Sequence, residues 1–307
     1  MPAVAGVKRV LLTGASGFIG RSCAEPLRRT GFEVHALSRG TRLPPGVAAW
    51  AADLMDPAQV RRVLDAVRPT HLLHAAWDVA HPNFWTSPDN LRWLAAGVDL
   101  LDAFRARGGE RAIGVGTCAE YAWTVRRYHE TDGPSAAATP YGRCKRALGD
   151  AFAAAGGLGL STAWARIFFA YGLGDAPHRL VPALMAHLSQ GRRFATTSGV
   201  QLRDFVYIDD IGGALAALLA APINGAINIA NGQAMPLRRV IETVAGLMGR
   251  ADLLDIGALA TRPGDPPELV ADVTRLTEEV GFLPSIGLDE GLARTVAAFL
   301  GEGSAFA

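Results

Sequence analysis

Short β-like runs, rich in apolar residues, alternate with longer helical stretches through the first half of the chain. Residues 10–12, 33–37, 71–75, 112–115 and 161–167 form such runs, the mark of strands buried on both faces. The stretches between them carry helix periodicity, so the pattern predicts a parallel sheet with helices on both faces. Three helix starts are marked by a capping residue followed by proline: Asp56-Pro57, Ser87-Pro88 and Thr139-Pro140. Beyond Tyr171-Gly172 the spacing turns irregular and rich in glycine and proline. There the pattern predicts helices over 209–221, 236–248 and 289–300, a strand over 226–229, and a flexible end over 301–307. Neither an internal repeat nor a discrete linker breaks the chain, which points to one large domain or two interleaved ones.

Composition narrows the partners. Thirty lysines and arginines face 29 aspartates and glutamates, so net charge gives no case for nucleic acid or a membrane surface. An anionic ligand has to be held by a few placed arginines. Lys8 and Arg9 precede an apolar run far too short for a signal peptide, and the run at 211–221 reads as a buried helix. Cys23, Cys118 and Cys144 are odd in number and scattered, which predicts neither a disulfide framework nor a metal site. The expectation is a reduced, soluble, cytoplasmic protein.

The first apolar run ends in Thr13-Gly14-Ala15-Ser16-Gly17-Phe18-Ile19-Gly20. Gly14 permits a sharp exit from the strand, Gly17 lets backbone N–H groups approach a pyrophosphate, and Gly20 lets the helix pack on the sheet. Between a strand and a helix, this turn points to a dinucleotide rather than to glycine punctuation. A carboxylate ending the second strand would select NAD, but this chain has Ala36-Leu37-Ser38-Arg39-Gly40. Arg39, with Arg21 in support, favours the 2′-phosphate of NADP. A solvated loop arginine, with NAD as the cofactor, is the other reading.

Tyr141 and Lys145 stand four apart at a helix start, which puts phenol and ammonium on one face. A free phenol titrates near ~10, and a neighbouring ammonium lowers that value. Thr117 lies 24 residues before Tyr141, at the C-terminal end of a predicted strand, where ligands gather in such sheets.

Together these motifs resemble the extended short-chain dehydrogenase/reductases, in particular the nucleotide-sugar epimerase/dehydratase/reductase branch, over nearly the whole chain. The resemblance implies an α/β fold: a Rossmann-type doubly wound parallel sheet over residues 1–170, with 204–230 contributing. A smaller C-terminal α/β substrate domain over 171–307 would interleave with it. It implies cofactor contacts from the glycine turn, from Asp53-Leu54 at the adenine, from His74-Ala75-Ala76, and from Tyr141 and Lys145. Glu130, Pro140, Tyr141 and Lys145 follow the family's layout, and residues 166–172 look like its passage from cofactor domain to substrate domain. Residues 203–210 resemble its R-D-F-x-x-V-x-D element, and Arg262-Pro263-Gly264-Asp265 followed by Asp272 its R-x-G-D…D element. Arg203 and Arg262 are thereby implied to hold a nucleotide pyrophosphate; surface ion pairs are the alternative. A homodimer through the helices near 89–107 and 141–155 is implied as well.

Departures from the family pattern narrow the chemistry. Phe169 stands where members carry asparagine, putting one polar contact in doubt. The dehydratases' Asp-Glu pair after the threonine is replaced by Cys118 and Ala119, which cannot move protons at neutral pH. Ala119 also stands where the 3,5-epimerase/reductases use a cysteine. What remains is hydride transfer at one carbinol carbon. The leading expectation is NADP(H)-dependent reduction of the 4-keto group of a nucleotide-linked sugar, with Thr117, Tyr141 and Lys145 catalytic. A 4-epimerase with tightly bound NAD is the enzyme alternative. A cofactor-sensing regulator without chemistry is a third, weakened by the presence of all three groups. Two features stay open: Glu120 contacts substrate or answers an arginine, and Trp77, His81, Phe84 and Trp85 form a sugar-stacking wall or pack their own loop. Cys118 has no histidine near it in sequence and reads as structural.

Overall fold

The computed structural model describes residues 7–40, 43–79, 82–124, 127–132 and 137–304. Seven parallel strands form the main sheet: β1 Arg9–Thr13, β2 Glu33–Ser38, β3 Ala48–Ala51, β4 His71–His74, β5 Arg111–Thr117, β6 Ser161–Ile167 and β7 Gly225–Ile229. Their spatial order is β7-β6-β5-β4-β1-β2-β3. Val10 in β1 pairs with Val34 on one side and His71 on the other. The chain therefore reverses its direction of travel at β1 and β4, opening a crevice at the C-terminal ends of those strands.

The helices are α1 Phe18–Arg29, α2 Pro57–Val67, α3 Asp89–Ala106, α4 Pro140–Gly157, α5 Leu180–Ser189, α6 Ile208–Ala220, α7 Leu237–Leu247 and α8 Leu288–Ser304. Strand alternation assigns their sides. Val10 and Leu12 share a core with residues of α1 and α6, whereas Leu11 shares one with residues of α2, α3 and α4. Two proline-marked starts cap as the sequence suggests. Asp56 accepts from the N–H groups of Ala58 and Gln59, at 2.9 and 3.2 Å, and Thr139 from Gly142 at 3.1 Å. At the third, Ser87 accepts from Asp89 at 3.2 Å, and regular helix begins one residue past Pro88.

The short strands escape the apolar pattern. β3 is a largely exposed Ala-Ala-Trp-Ala edge with no alternation to betray it. A four-stranded sheet forms from Met235–Pro236, Leu202–Arg203, Glu268–Ala271 and Arg127–Tyr128 in that order, and Phe205–Tyr207 pairs with Phe169–Tyr171. Buried Asp204 ties this region together, accepting from the N–H groups of Asn231, Gly232 and Ala271 at 2.9, 2.9 and 3.1 Å. Helix α8 runs to Ser304, beyond the expected stop at 300, so 301–304 are helical and the rest of the expected flexible end lies outside the described residues. Among the described residues, no helix is long and apolar enough to cross a membrane.

The seating of α6 against α1 fixes the helix that carries the glycine turn. A Cβ on Gly212 in α6 would overlap the Ser22 carbonyl of α1. Gly212→Ala should therefore destabilise by about 1–3 kcal/mol in urea unfolding, an overpacking cost. Helix propensity alone would instead reward alanine by ~1 kcal/mol. A more stable variant would contradict this packing.

Candidate active site

The glycine turn folds back on itself. Gly14 has φ +74, and a Cβ there would lie 2.8 Å from the Ala76 nitrogen, while one on Gly20 would overlap the Gly14 carbonyl. Gly17 donates to the Gly14 carbonyl at 2.9 Å and caps α1 with no side-chain acceptor. The first N–H groups of α1 thus lack intrahelical partners at the mouth of the crevice, which fits a dinucleotide pyrophosphate. Beside the turn, neutral His74 is buried with Nδ1 2.8 Å from the Thr13 hydroxyl, which accepts from the Ala76 N–H at 3.2 Å. Burial pushes His74 down to about 3.

The other cofactor expectations fall less directly. Arg39 is exposed at the end of β2, with no carboxylate among residues 36–40. Arg21 does not support it, since its guanidinium donates to the Gly174 carbonyl at 3.2 Å. The Asp53 carboxylate accepts from the Met55 N–H at 3.0 Å, and the Leu54 side chain is buried in the core with α2.

A cleft of about 730 Å³ brings together Gly14, Gly17, Phe18, Ile19, Gly20, Ala75, Thr117, Tyr141, Arg203 and Arg262. Ser16, Arg39, Asp53, Leu54, His74, Ala76 and Lys145 lie outside its lining. The two arginines differ. Arg262 is exposed. Arg203 is 3% exposed and tethered to Asp265 at 2.6 Å and to the Leu202 and Pro266 carbonyls at 2.8 and 2.9 Å, a partly buried pair rather than a surface one. Phe169 lies under it, with its ring centroid 5.5 Å from the Arg203 guanidinium carbon. Sequence reasoning missed Arg179, a third cation in the lining, which stands 5.8 Å over the Phe84 ring. It lies in the irregular stretch after Gly172, where no motif signals it. Near it, burial pushes the Asp175 carboxyl up to about 6, against the Arg179 charge.

Tyr141 is 8% exposed and boxed by aromatic edges. The rings of Phe84, Trp85 and Trp77 stand 4.9, 5.5 and 6.2 Å from its centroid, near-perpendicular to it. The aromatic loop thus packs round the phenol and also lines the cleft; His81 lies outside the described residues. Burial raises the phenol pKa above its usual 10, while a hydrogen bond with Thr117 and the Arg179 charge lower it. Lys145 does not take the place expected of it. Its amine donates to the Val115 carbonyl at 2.8 Å and lies 4.2 Å from the Trp77 ring centroid, turned into the protein, where burial pushes it down to about 7.

Glu120 answers an arginine. It is 0% exposed and pairs with Arg166 at 3.0 Å. Cys118 lines the cleft as a thiol, pushed up to about 12 by burial. Among the described residues, no cluster of histidine, cysteine and carboxylate side chains could hold a metal ion.

Buried Lys145 has a consequence for stability. With its pKa near 7 when folded against the ordinary 10.5, the unfolded chain binds more protons between those values. Its contribution to stability therefore rises with pH across that window. Urea unfolding of Lys145→Met should lose this rise relative to wild type; an unchanged slope would place the amine in water.

Comparison with known proteins fits this arrangement. Residues 10–230 match the NAD dependent epimerase/dehydratase family. The chain is 27% identical over 323 residues to UDP-glucose 4-epimerase of Azospirillum brasilense, covering 95% of this chain and 91% of that one. To dTDP-6-deoxy-L-talose 4-dehydrogenase (NAD(P)(+)) of Kitasatospora kifunensis it is 28% identical over 305 residues, covering 92% and 93%. Its fold matches UDP-glucose 4-epimerase of Thermus thermophilus, solved in complex with NAD, with a TM-score of 0.85 and 29% identity, covering 95% of this chain and 99% of that one. The chain belongs to the NAD dependent epimerase/dehydratase family of NAD(P)-dependent enzymes.

Proposed function

We propose that the protein is an NADP(H)-dependent reductase of the 4-keto group of a nucleotide-linked sugar. One observation carries the reading: a single cleft joins the glycine turn, the Thr117–Tyr141 pair and three arginines. The turn suits a dinucleotide, the pair suits proton transfer to one oxygen, and the arginines suit a diphosphate. The relatives' names, UDP-glucose 4-epimerase and dTDP-6-deoxy-L-talose 4-dehydrogenase, support a nucleotide sugar with chemistry at C4.

The nicotinamide, when bound, supplies the hydride. Thr117 accepts the Ala119 N–H at 3.3 Å and its hydroxyl bonds to Tyr141, so a substrate oxygen that displaces this bond would meet both groups. Tyr141, with its raised pKa, is protonated at neutral pH and serves as the acid that gives this oxygen its proton. Lys145, one helical turn from Tyr141, would reach a ribose hydroxyl only by turning its amine from the Val115 carbonyl toward the cleft. Arg179 and Arg262 attract the diphosphate, and Arg203, braced by Asp265, offers a fixed charge beside them. Cys118 and Ala119 provide no acid or base for removing water.

The open end of β2 and exposed Arg39 favour NADP. A second reading, 4-epimerisation on tightly held NAD, is favoured by the likeness to the Thermus epimerase solved with NAD. Arg39→Ala should weaken NADPH binding roughly 10–100-fold in titration calorimetry while leaving NADH binding unchanged. Equal losses, or NAD carried through purification, would favour the epimerase. For either reaction, Tyr141→Phe should slow single-turnover hydride transfer roughly 10²–10⁴-fold with cofactor affinity intact. A wild-type rate would overturn the mechanism.

A further inference from the structure

The threonine of the cleft is held by a carboxylate beneath it. Glu120 closes the short turn Cys118–Glu120 and reaches back to accept the Thr117 backbone N–H at 2.8 Å, while the Thr117 hydroxyl accepts from Ala119. This reciprocal capping fixes the side chain at the end of β5. The remaining capacity of the carboxylate is filled from β6. The Trp164 indole N–H lies 3.0 and 2.9 Å from its two oxygens, and Arg166 Nε donates to one of them at 3.0 Å. Arg166 is braced in turn by the Tyr121 hydroxyl at 3.0 Å and the Glu130 carbonyl at 3.1 Å.

Room for this assembly is made by missing side chains. A Cβ on Gly116 would overlap both the Glu120 carboxylate and the Trp164 indole, one on Gly114 would overlap the same indole, and one on Gly149 of α4 would lie 2.9 Å from its nitrogen. A buried ion pair is a poor source of stability, since desolvation offsets most of its attraction. Its geometric role is better supported, because every donor converges on the turn that carries Thr117.

We propose that Glu120, with Trp164 and Arg166, is a positioning residue that aims the Thr117 hydroxyl and sets the charge beneath Tyr141. This rests on the assignment of Thr117 and Tyr141 to proton transfer. A glutamine cannot replace the carboxylate, because its single oxygen serves one side of the donor ring and its nitrogen then faces another donor. The charge matters too. Tyr141 is faced by the Thr117 hydroxyl and Arg179, which lower its pKa, and by Glu120 and Cys118, which raise it. Glu120 likewise raises Lys145. Loss of the Glu120 charge leaves Arg166 uncompensated, so Tyr141 gives up its proton at lower pH.

The test compares Glu120→Gln, Trp164→Phe, the double variant Glu120→Gln/Arg166→Met and Tyr141→Phe by single-turnover kinetics, pH profile and thermal unfolding. Glu120→Gln should lower kcat roughly 10–100-fold, as a misplaced hydroxyl would, with KM within roughly threefold and the profile moved to lower pH. Trp164→Phe keeps the charge and should lose less, with its profile unmoved. The double variant should regain thermal stability without regaining kcat. Wild-type kcat and profile in Glu120→Gln, or kcat recovered together with stability in the double variant, would reduce Glu120 to a fold element and overturn the proposal. A fully active Tyr141→Phe would instead remove the proton-transfer assignment, and this inference with it.

Discussion

The parallel pairing of β5 with β6 sets Gly114 opposite Trp164, Gly116 opposite Arg166 and Thr117 opposite Ile167. Neighbours in a parallel ladder project to the same side, so a large side chain on one strand needs space above the other. Glycine at 114 and 116 provides it, and the indole and guanidinium of β6 lie across β5 to meet Glu120. The turn after β5 is thereby pinned from below. Helix α4 then seats closely against that turn, because a Cβ on Gly142 would overlap the Ala119 carbonyl. This close approach brings Tyr141 beside Thr117, and the Val115 carbonyl of the same strand takes the Lys145 amine. One strand register therefore places all three groups.

What the sequence discloses is what local spacing encodes. The glycine turn, the capping residue with proline at 56–57 and 139–140, and the Tyr141–Lys145 face all depend on neighbours within a turn or two of chain. They stand where the spacing puts them, the Lys145 amine excepted. The partners of Glu120 lie 44 and 46 residues away, on a strand whose register no pattern gives. For the same reason Arg203 could be marked as a cation but not as one tied to Asp265, 62 residues on. Arg179 carries no motif, and only the return of its segment to the cleft reveals it. Lys145 shows the other limit. Helical spacing sets its side of α4, but the Trp77 ring and the Val115 carbonyl decide where its amine goes.

The cleft combines a desolvated phenol with arginines in its lining. Three aromatic rings exclude water from Tyr141, which keeps the phenol protonated and strengthens each polar contact near it. Phe169 adds to this apolar character and packs against Phe205 at a centroid distance of 5.9 Å. The chain is nearly neutral, with a net charge of +1, so under the proposed function an anionic substrate would be met by the arginines of the cleft and not by overall charge.

The most direct test of this account is a crystal structure of the Tyr141→Phe variant with dinucleotide and a nucleotide-linked sugar. The sugar C4 oxygen should lie within hydrogen-bonding distance of the Thr117 hydroxyl and against the ring at position 141. The diphosphate should contact at least one of Arg179, Arg203 and Arg262. A C4 oxygen remote from Thr117, or a diphosphate held away from all three arginines, would contradict it.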